Sequence, residues 1–277
     1  MGSEAMSREA TTPGASPGDT TRRTVLVTGG GRGIGAATSL RCAALGYAVA
    51  VNFTRDAAAA EQVVASIREA GGHALAIQAD VAVAADVAAM FETIDGELPP
   101  LAGLVNNAGV VDRGARVDAM TPERLQRMFA INVFGSFYCA RAAVLRMTTR
   151  PTDARWQARG GNRGGAIVNL SSAAAKLGGA GQYVDYAAAK GAIDSFTLGL
   201  AKEVAGEGIR VNAVRPGIIE TEIHASGGAP DRVRQMAPQV PMQRAGSAEE
   251  VAEAIVWLLG DGASYTTGSV VEVTGGR

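Results

Sequence analysis

A tyrosine and a lysine lie four residues apart in a stretch whose apolar spacing predicts a helix. Tyr186 and Lys190 would therefore share one helix face. A free tyrosine has a pKa of about 10, too high for an effective base at neutral pH, and a nearby ammonium lowers that pKa by favouring tyrosinate. When hydride reduces a carbonyl group, the resulting alkoxide must gain a proton. The pair predicts a group that transfers this proton.

A serine precedes the pair at a distance that a strand end and a helix start could bridge. Ser172 lies 14 positions before Tyr186, at the end of the apolar segment GAIVNLSS. Its hydroxyl could hydrogen-bond a substrate oxygen and stabilise developing negative charge. A second tyrosine, Tyr183, has Ala187 rather than a lysine four positions on. We therefore expect Tyr183 to line the site or to pack.

A glycine-rich turn, TGGGRGIG, occupies residues 28–35 between an apolar strand and a helix. Its glycines permit positive φ and close backbone approach, and the helix start presents unpaired N–H groups to an anion. These features predict a seat for the pyrophosphate of a dinucleotide. Glycines also serve ordinary turns, and the spacing T-G-x-x-x-G-x-G, with Gly29, Gly33 and Gly35 at its key places, differs from the G-x-G-x-x-G fingerprint.

Short apolar segments alternate with helical patterns along the chain. This alternation predicts an α/β fold, a single-domain Rossmann-type doubly wound parallel sheet of about seven strands, with ligands at the carboxyl ends of the strands. The predicted strands are 24–28, 48–52, 74–78, 101–106, 165–170, 209–214 and 270–273. The predicted helices include 34–45, 57–70, a face with Val87, Met90, Phe91 and Ile94, helical segments within 122–147, 184–205 and 248–259.

These motifs in this order resemble the short-chain dehydrogenase/reductase family over residues 24–276. The glycine turn, the Asn-Asn-Ala-Gly sequence at 106–109 and the serine–tyrosine–lysine set carry the resemblance. It implies an oxidoreductase that transfers hydride between a nicotinamide cofactor and a carbonyl or alcohol substrate. It also implies a homotetramer or homodimer, with interfaces on the helices around 129–147 and 184–205.

The resemblance implies a role for each catalytic residue. Tyr186 gives or takes the proton, Lys190 tunes it and binds the nicotinamide ribose, and Ser172, rather than its neighbour Ser171, holds the substrate oxygen. Asn132 supports a water-linked proton relay through the lysine. The gap between serine and tyrosine is one residue longer than in many relatives, which could shift the substrate pocket.

The resemblance also implies the cofactor contacts. Asp80 and Val81 would meet the adenine, the loop after residue 214 would pass the nicotinamide, and Asn106 would brace the sheet and the cofactor pocket. The full set of expected cofactor-binding residues is Gly29, Arg32, Gly33, Ile34, Gly35, Asn52, Thr54, Arg55, Asp80, Val81, Asn107, Ala108, Gly109, Tyr186, Lys190, Pro216, Gly217, Ile218 and Thr221.

The residues after the second predicted strand favour NADP, with NAD possible. An NAD site places a carboxylate there to hold the ribose 2′-hydroxyl. Asn52 and Thr54 offer none, and Asp56 is expected to cap the next helix. Arg32 and Arg55 could flank a 2′-phosphate through charge-assisted hydrogen bonds, although both could also be solvated surface residues.

Composition narrows the other classes of function. The net charge of −1 favours neither nucleic acid nor an anionic membrane surface, and we expect no membrane span. Two cysteines, Cys42 and Cys139, make no disulfide framework and fit a reducing, cytoplasmic setting. Two histidines are too few for a histidine-based zinc site, so no metal is expected.

The predicted domain spans 23–277. Three segments of the chain depart from the alternation of strands and helices. Residues 1–22 are small and polar and are expected to form a disordered tail. Residues 148–165, rich in arginine and glycine, are read as a surface excursion. Residues 222–243 have few periodic features and are expected to form the substrate lid. His224 in this lid is expected to have a surface or packing role.

Two rival functions remain open. A non-catalytic NAD(P)-binding redox sensor would keep the glycine turn and lose the catalytic residues, all four of which are present. An epimerase or dehydratase of the longer related family would need a larger C-terminal region than the about 60 residues that follow Pro216. The substrate class, whether sugar, ketoacyl thioester, steroid or small ketone, depends on the lid.

Overall fold

A seven-stranded parallel sheet forms the centre of the protein. The computed structural model describes residues 23–151, 154, 158, 161, 163–223 and 227–277. The strands are β1 Thr24–Val27, β2 Ala48–Phe53, β3 Ala74–Gln78, β4 Leu101–Asn106, β5 Gly165–Leu170, β6 Ile209–Pro216 and β7 Val270–Val273. Their order in the sheet is β3-β2-β1-β4-β5-β6-β7, so the strand order reverses between β1 and β4.

Helices cover both faces of this sheet, because its central strands are apolar on both sides. The helices are α1 Gly33–Ala44, α2 Ala57–Glu69, α3 Ala84–Glu97, α4 Pro122–Phe129, α5 Gly135–Met147, α6 Ala174–Leu177, α7 Val184–Val204, α8 Arg232–Met236 and α9 Ala248–Leu259. One buried cluster joins the sheet to α3, α5 and α7, and a second joins it to α1, α2 and α9. The doubly wound fold predicted from the sequence is confirmed.

The helical stretch Pro122–Met147 is not one regular helix. A wide, π-type turn at Ala130–Phe134 separates α4 from α5. By length and composition alone this 26-residue stretch could cross a membrane, with a mean hydropathy of 1.5 in its most apolar window. Half of that window is buried inside the protein, and Cys139 and Ala143 belong to the sheet's core. A buried core helix of this kind passes the same test.

The three atypical segments have different outcomes. The predicted tail 1–22, most of residues 152–162 and the segment 224–226, with His224, lie outside the described residues. The described parts of the predicted lid are 222–223 and 227–243, and the second contains the short helix α8 and a tight 3-10 turn, Ala237–Gln239. At the start of this part, Gly227 lies against the Val111 side chain.

A chain of buried polar side chains ties β4 and β5 to α7. Asn106 Nδ2 donates to Asn169 Oδ1 at 2.9 Å, and Asn169 Nδ2 donates to Thr197 Oγ1 at 2.9 Å. Thr197 Oγ1 in turn donates to the Ile193 carbonyl at 2.8 Å. Buried amides need such partners, since an unpaired one forfeits its hydration without compensation. The network therefore fixes the helix that carries Tyr186 against the sheet.

Replacing the last hydroxyl of this network should destabilise the fold. Thr197→Val keeps the shape of the side chain but leaves the Asn169 amide unpaired, and we expect a loss of about 1–3 kcal/mol in the free energy of unfolding. Urea unfolding at fixed protomer concentration measures it. Thr93→Val is the matched control, because Thr93 also donates to the carbonyl four residues earlier but is exposed. Equal losses in both variants would contradict a role for the network.

Candidate active site

The glycine turn between β1 and α1 passes very close to neighbouring backbone. Gly29 and Gly33 have φ values of +60° and +51°, which favour glycine. A Cβ on Gly35 would lie 2.2 Å from the Gly29 carbonyl oxygen and 2.6 Å from Asn107 Nδ2. The chain therefore needs glycine at position 35 to turn directly into the helix, and the preceding residue, Ile34, lines the pocket.

The ends of β1 and β4 are joined by a set of hydrogen bonds. The backbone N–H groups of Asn107 and Ala108 both donate to Thr28 Oγ1 at 3.0 Å. The Asn107 side-chain amide donates to the carbonyls of Thr28 and Gly29 at 2.9 Å and 3.0 Å. Asn107 thus holds the glycine turn in place through its side chain. Thr28 was not among the expected site residues, although it belongs to the same glycine motif.

Asn52 braces this turn from beneath. Its side chain is only 1% exposed, accepts from Gly29 N at 3.2 Å and donates to the carbonyls of Ile77 and Ala79 at 3.3 Å and 3.0 Å. These bonds occupy its polar atoms. Asn52 is among the expected cofactor contacts; here its side chain supports the loop and the strand ends, and its contact with the cofactor stays a prediction.

The remaining residues at the end of β2 and β3 lie at the edge of the same cleft. Arg32 is largely exposed, and its guanidinium is 3.8 Å from Asp56 and 4.0 Å from Glu222. Asp56 caps α2 by accepting from Ala59 N at 3.1 Å, as predicted. Arg55 is exposed and has no hydrogen-bond or ion-pair partner within the part of the chain that the structure describes.

Two further expected residues flank the end of β3, and Thr54 joins them from β2. Asp80 accepts from Ala82 N at 2.9 Å, which shapes the turn after the strand. Val81 is buried against Gly135, where a Cβ would lie 2.8 Å from its side chain. Thr54 Oγ1 reaches the Ala79 carbonyl at 3.4 Å. These three residues are brought to the carboxyl edge of the sheet.

The loop after β6 faces the glycine turn. Pro216 ends the strand, and Gly217 passes so close to Thr274 that a Cβ would lie 2.8 Å from its Cα. Ile218 is buried. The Thr221 side chain reaches the glycine turn, because a Cβ on Gly33 would lie 3.1 Å from Thr221 Cγ2. The two loops therefore form opposite walls of one pocket. Pro216, Gly217, Ile218 and Thr221 all line it, together with Asn107 and Gly109.

The expected catalytic residues meet in this pocket. Ser172 follows β5, and Tyr186 and Lys190 project from the first turns of α7. Ser172 lies close enough to Tyr186 to lower its pKa, whereas the Ser171 hydroxyl is turned to the Lys190 carbonyl at 3.4 Å. Lys190 is 5% exposed and its Nζ donates to the Leu170 carbonyl at 2.7 Å. The geometry agrees with the choice of Ser172 over Ser171.

Burial governs the ionisation of the pair. It raises the pKa of Tyr186 to about 12, although the hydrogen bond from Ser172 acts in the opposite direction. Burial also lowers the pKa of Lys190 to about 8, against the attraction of Asp194. That the lysine lowers the pKa of this tyrosine stays a prediction, because burial outweighs the opposing effects in this structure. Lys190 Nζ lies 5.7 Å from the Tyr186 ring centroid and is directed to a carbonyl instead.

Asn132 lies within the wide turn between α4 and α5. Its Nδ2 donates to the carbonyls of Val110 and Met128, both at 3.0 Å, and its Oδ1 accepts from Val110 N at 3.2 Å. A Cβ on Gly109 would lie 2.7 Å from Asn132 Oδ1 and 3.5 Å from Lys190 Nζ. Asn132 and Lys190 therefore converge on the backbone of Gly109.

A buried ion pair anchors the helix start that carries the tyrosine. Asp185, directly before Tyr186, accepts from Arg124 Nε at 2.7 Å and from its Nη2 at 3.1 Å. Arg124 Nη1 also donates to the Arg113 carbonyl at 2.7 Å. This bidentate pair joins α4, α7 and the loop after β4. No sequence signal marked it, because its partners are 61 residues apart.

The outer part of the pocket contains residues that the sequence did not single out as functional. Val111, Gln182 and Arg232 line it, and Tyr183 does so as expected. The rings of Tyr183 and Tyr186 meet edge to face with centroids 6.0 Å apart. Their spacing of three residues is compatible with this contact. Arg232 belongs to the predicted lid, a segment without apolar periodicity, and no pattern in the sequence indicated that it lines the pocket.

The pocket fits a nicotinamide dinucleotide. The glycines at 29, 33 and 35 carry no side chains of their own, so the backbone N–H groups at the start of α1 can approach a pyrophosphate closely. Tyr186 and Lys190 lie at the other end of the same carboxyl edge. Together the fold and the site define a nicotinamide-dependent oxidoreductase.

Comparisons with known proteins agree with this class. The sequence profile of the family described as enoyl-(acyl carrier protein) reductase matches residues 29–277. The uncharacterised oxidoreductase YgfF of Escherichia coli (strain K12) is 54% identical over 252 residues, covering 91% of this chain and 98% of that protein. A 3-oxoacyl-[acyl-carrier-protein] reductase of Synechocystis is 38% identical over 92% of this chain and 97% of its own length.

A solved structure extends the likeness to three dimensions. A short chain dehydrogenase from Burkholderia cenocepacia J2315 in complex with NADP is similar with a TM-score of 0.81 and 32% identity, over 94% of this chain and 99% of that one. The chain belongs to the short-chain dehydrogenase/reductase family. It is an oxidoreductase that transfers hydride between a nicotinamide cofactor and a carbonyl or alcohol substrate.

A methyl group at the tightest point of the glycine turn should impair cofactor binding. Gly35→Ala would push the turn away from Gly29 and Asn107, and we expect the Kd for NADPH to rise by about tenfold or more. Enhancement of NADPH fluorescence on binding measures it. Gly96→Ala in α3 is the control, because a Cβ there meets nothing within 4 Å. Unchanged affinity in Gly35→Ala would contradict a pyrophosphate seat at this turn.

Proposed function

We propose that this oxidoreductase prefers NADP(H) and uses Tyr186, Lys190, Ser172 and Asn132 to move the proton that accompanies hydride transfer. One observation carries the proposal. Tyr186 and Ser172 line one pocket, and the Nζ of the buried Lys190 lies 5.7 Å from the centroid of the tyrosine ring, at the same sheet edge as the glycine turn. No structural demand of the fold requires an ionisable lysine in that interior position, since burying a charge is costly.

Each residue has a role that follows from its surroundings. When bound, the nicotinamide supplies or accepts the hydride. Ser172 donates a hydrogen bond to the substrate oxygen, and Tyr186 gives that oxygen its proton in the direction of reduction. With its pKa raised to about 12, Tyr186 holds this proton at neutral pH. Lys190, while protonated, stabilises the tyrosinate that remains, and Asn132 fixes the Gly109 backbone beside it.

The end of β2 supports the preference for NADP. It lacks a free carboxylate, because Asp56 is the nearest acid and is engaged at the α2 cap. Arg55 is exposed and directly precedes Asp56 in the sequence, and the Arg32 guanidinium lies 3.8 Å from Asp56, so Arg32 borders this edge. A 2′-phosphate there would gain charge-assisted hydrogen bonds. The related Burkholderia cenocepacia structure is a complex with NADP.

We also infer a homodimer or homotetramer and a cytoplasmic setting. Apolar side chains on α5 and α7 support the oligomer: Phe137 is 45% and Leu198 is 48% exposed, and Phe137 stacks on Phe196 with ring centroids 3.8 Å apart. The cytoplasmic setting draws on Cys42 and Cys139, which are both free thiols.

Loss of the tyrosine hydroxyl should abolish turnover without abolishing cofactor binding. A panel of ketones, sugars and 3-oxoacyl thioesters is assayed with NADPH and NADH in parallel. For any accepted substrate we expect Tyr186→Phe to lower kcat by about 100- to 10,000-fold, the range for loss of a general acid. The Kd for NADPH should change by less than about threefold, because the ring remains.

Tyr138→Phe is the matched control, since Tyr138 packs against the core away from the pocket. Equal activity of Tyr186→Phe and the wild type would overturn the assigned role. Tight NADPH binding with no turnover by the wild type would favour a non-catalytic redox sensor.

The cofactor preference is tested at the two arginines. We expect Arg32→Leu and Arg55→Leu each to raise the Kd for NADPH by about tenfold and to leave the Kd for NADH within about threefold. Arg41→Leu is the control, because Arg41 pairs with Glu253 on the surface away from the turn. A wild type that binds NADH more tightly, or variants that weaken both cofactors equally, would contradict the NADP preference.

A further inference from the structure

The outer half of the active-site pocket carries an excess of positive charge. Its charged lining residues, among those that the structure describes, are Asp112, Lys190, Arg232 and Arg277. Asp112 is already compensated by Arg127 at 2.5 Å. Although partial burial opposes it, hydrogen bonds from the Arg113 N–H and from Arg127 hold the pKa of Asp112 below its ordinary value. The acid therefore stays ionised within its own pair and leaves the arginines uncompensated.

Contacts through one aromatic ring link Arg232 to the reacting group, Tyr186. Its guanidinium carbon lies 5.0 Å from the centroid of the Tyr183 ring, and that ring lies 6.0 Å from the ring of Tyr186. Arg232 is therefore one aromatic ring beyond the residue that transfers the proton. It has no acidic partner within 4 Å among residues 23–151, 163–223 and 227–277 or the few described positions between them.

Neutral groups hold this guanidinium in place. Arg232 Nη1 donates to Gln182 Oε1 at 2.9 Å, and its Nη2 donates to the Tyr183 hydroxyl. Guanidinium has five N–H donors in a planar fork, so three remain for a ligand. A half-buried, positioned arginine with neutral partners is the arrangement that recognises a planar carboxylate.

The rest of the outer wall is apolar. Val111, Leu177 and Ile223 line it, and they offer no hydrogen bond from their side chains. A chain of carbon atoms would pack there between the two polar ends of the pocket. The described lining of the pocket thus combines a proton-donating tyrosine, apolar side chains and the positioned guanidinium of Arg232.

We propose that Arg232, with Gln182 and Tyr183, forms a subsite for a carboxylate, and that the substrate is an oxo acid or the corresponding hydroxy acid whose carboxylate is separated from the reacting carbon by a short aliphatic chain. This inference rests on the proposed function of the same pocket. It assigns Arg232 as a specificity-determining residue, because it contacts the substrate away from the reacting atoms.

Paired substrates that differ only in charge test the subsite. Methyl-ketone acids with two to five carbons between carbonyl and carboxylate are compared with their methyl esters at saturating NADPH. We expect the wild type to favour at least one acid over its ester by about tenfold or more in kcat/KM. In Arg232→Met we expect kcat/KM to fall for the acid and to stay unchanged for the ester, so that the preference is lost. Arg232→Lys should keep part of the preference. Arg234→Met is the control, because Arg234 is 81% exposed and pairs with Asp231.

A binding measurement separates the subsite from the chemistry. The acids and esters are titrated calorimetrically into the enzyme saturated with NADP⁺. The subsite is supported if the wild type binds an acid more tightly than its ester and Arg232→Met loses this difference. If the same acid binds but is not reduced, the proposed function fails while the subsite stands. Equal binding and turnover of acids and esters, or an Arg232→Met variant that weakens both in proportion, would overturn the carboxylate subsite and leave Arg232 a role in holding the lid on Tyr183.

Discussion

The hydrogen bonds that join the end of β1 to the end of β4 are the contact on which the site depends. Parallel strands open their carboxyl ends to one edge, and the crevice forms where the strand order reverses. Thr28 and Asn107 close this reversal point with four hydrogen bonds of 2.9–3.0 Å. Because these bonds use the turn's carbonyls and the threonine hydroxyl, the N–H groups at the start of α1 stay available for an anion.

The catalytic end of the crevice is stabilised by a different device. Helix α7 is held by Asn169 through Thr197 in its middle and by Arg124 through Asp185 at its start. Such fixed anchors allow the helix to keep Lys190 almost wholly out of water, a position that lowers its pKa to about 8. The charge of the lysine therefore changes near neutral pH. The contacts of Thr197 and Asp185 elsewhere along the helix offset the cost of burying it.

The fold could be predicted from sequence because its signals are local. Strands β3, β4, β5 and β7 have the bounds that their apolar segments predicted, and Asp56 caps α2 as its position suggested. Properties that depend on distant residues could not be predicted. The ionisation of Tyr186 depends on the depth of its burial. The Asn52 amide bonds Gly29, Phe53, Ile77 and Ala79, and since three of these four lie in distant segments of the chain, no local pattern indicates its supporting role.

The two walls of the crevice differ in the kind of atoms that make them. The cofactor wall is built from backbone N–H groups, carbonyls and glycines that leave room for close approach, and these features follow from a spacing that many chains can share. The substrate wall is built from side chains of the loop after β4, of residues 182–183 and of the lid. Those segments meet only in the folded chain, as Arg232 meets Gln182, which lies 50 residues earlier. The class of reaction can therefore be read from motifs, whereas the choice of substrate depends on tertiary contacts that no motif records.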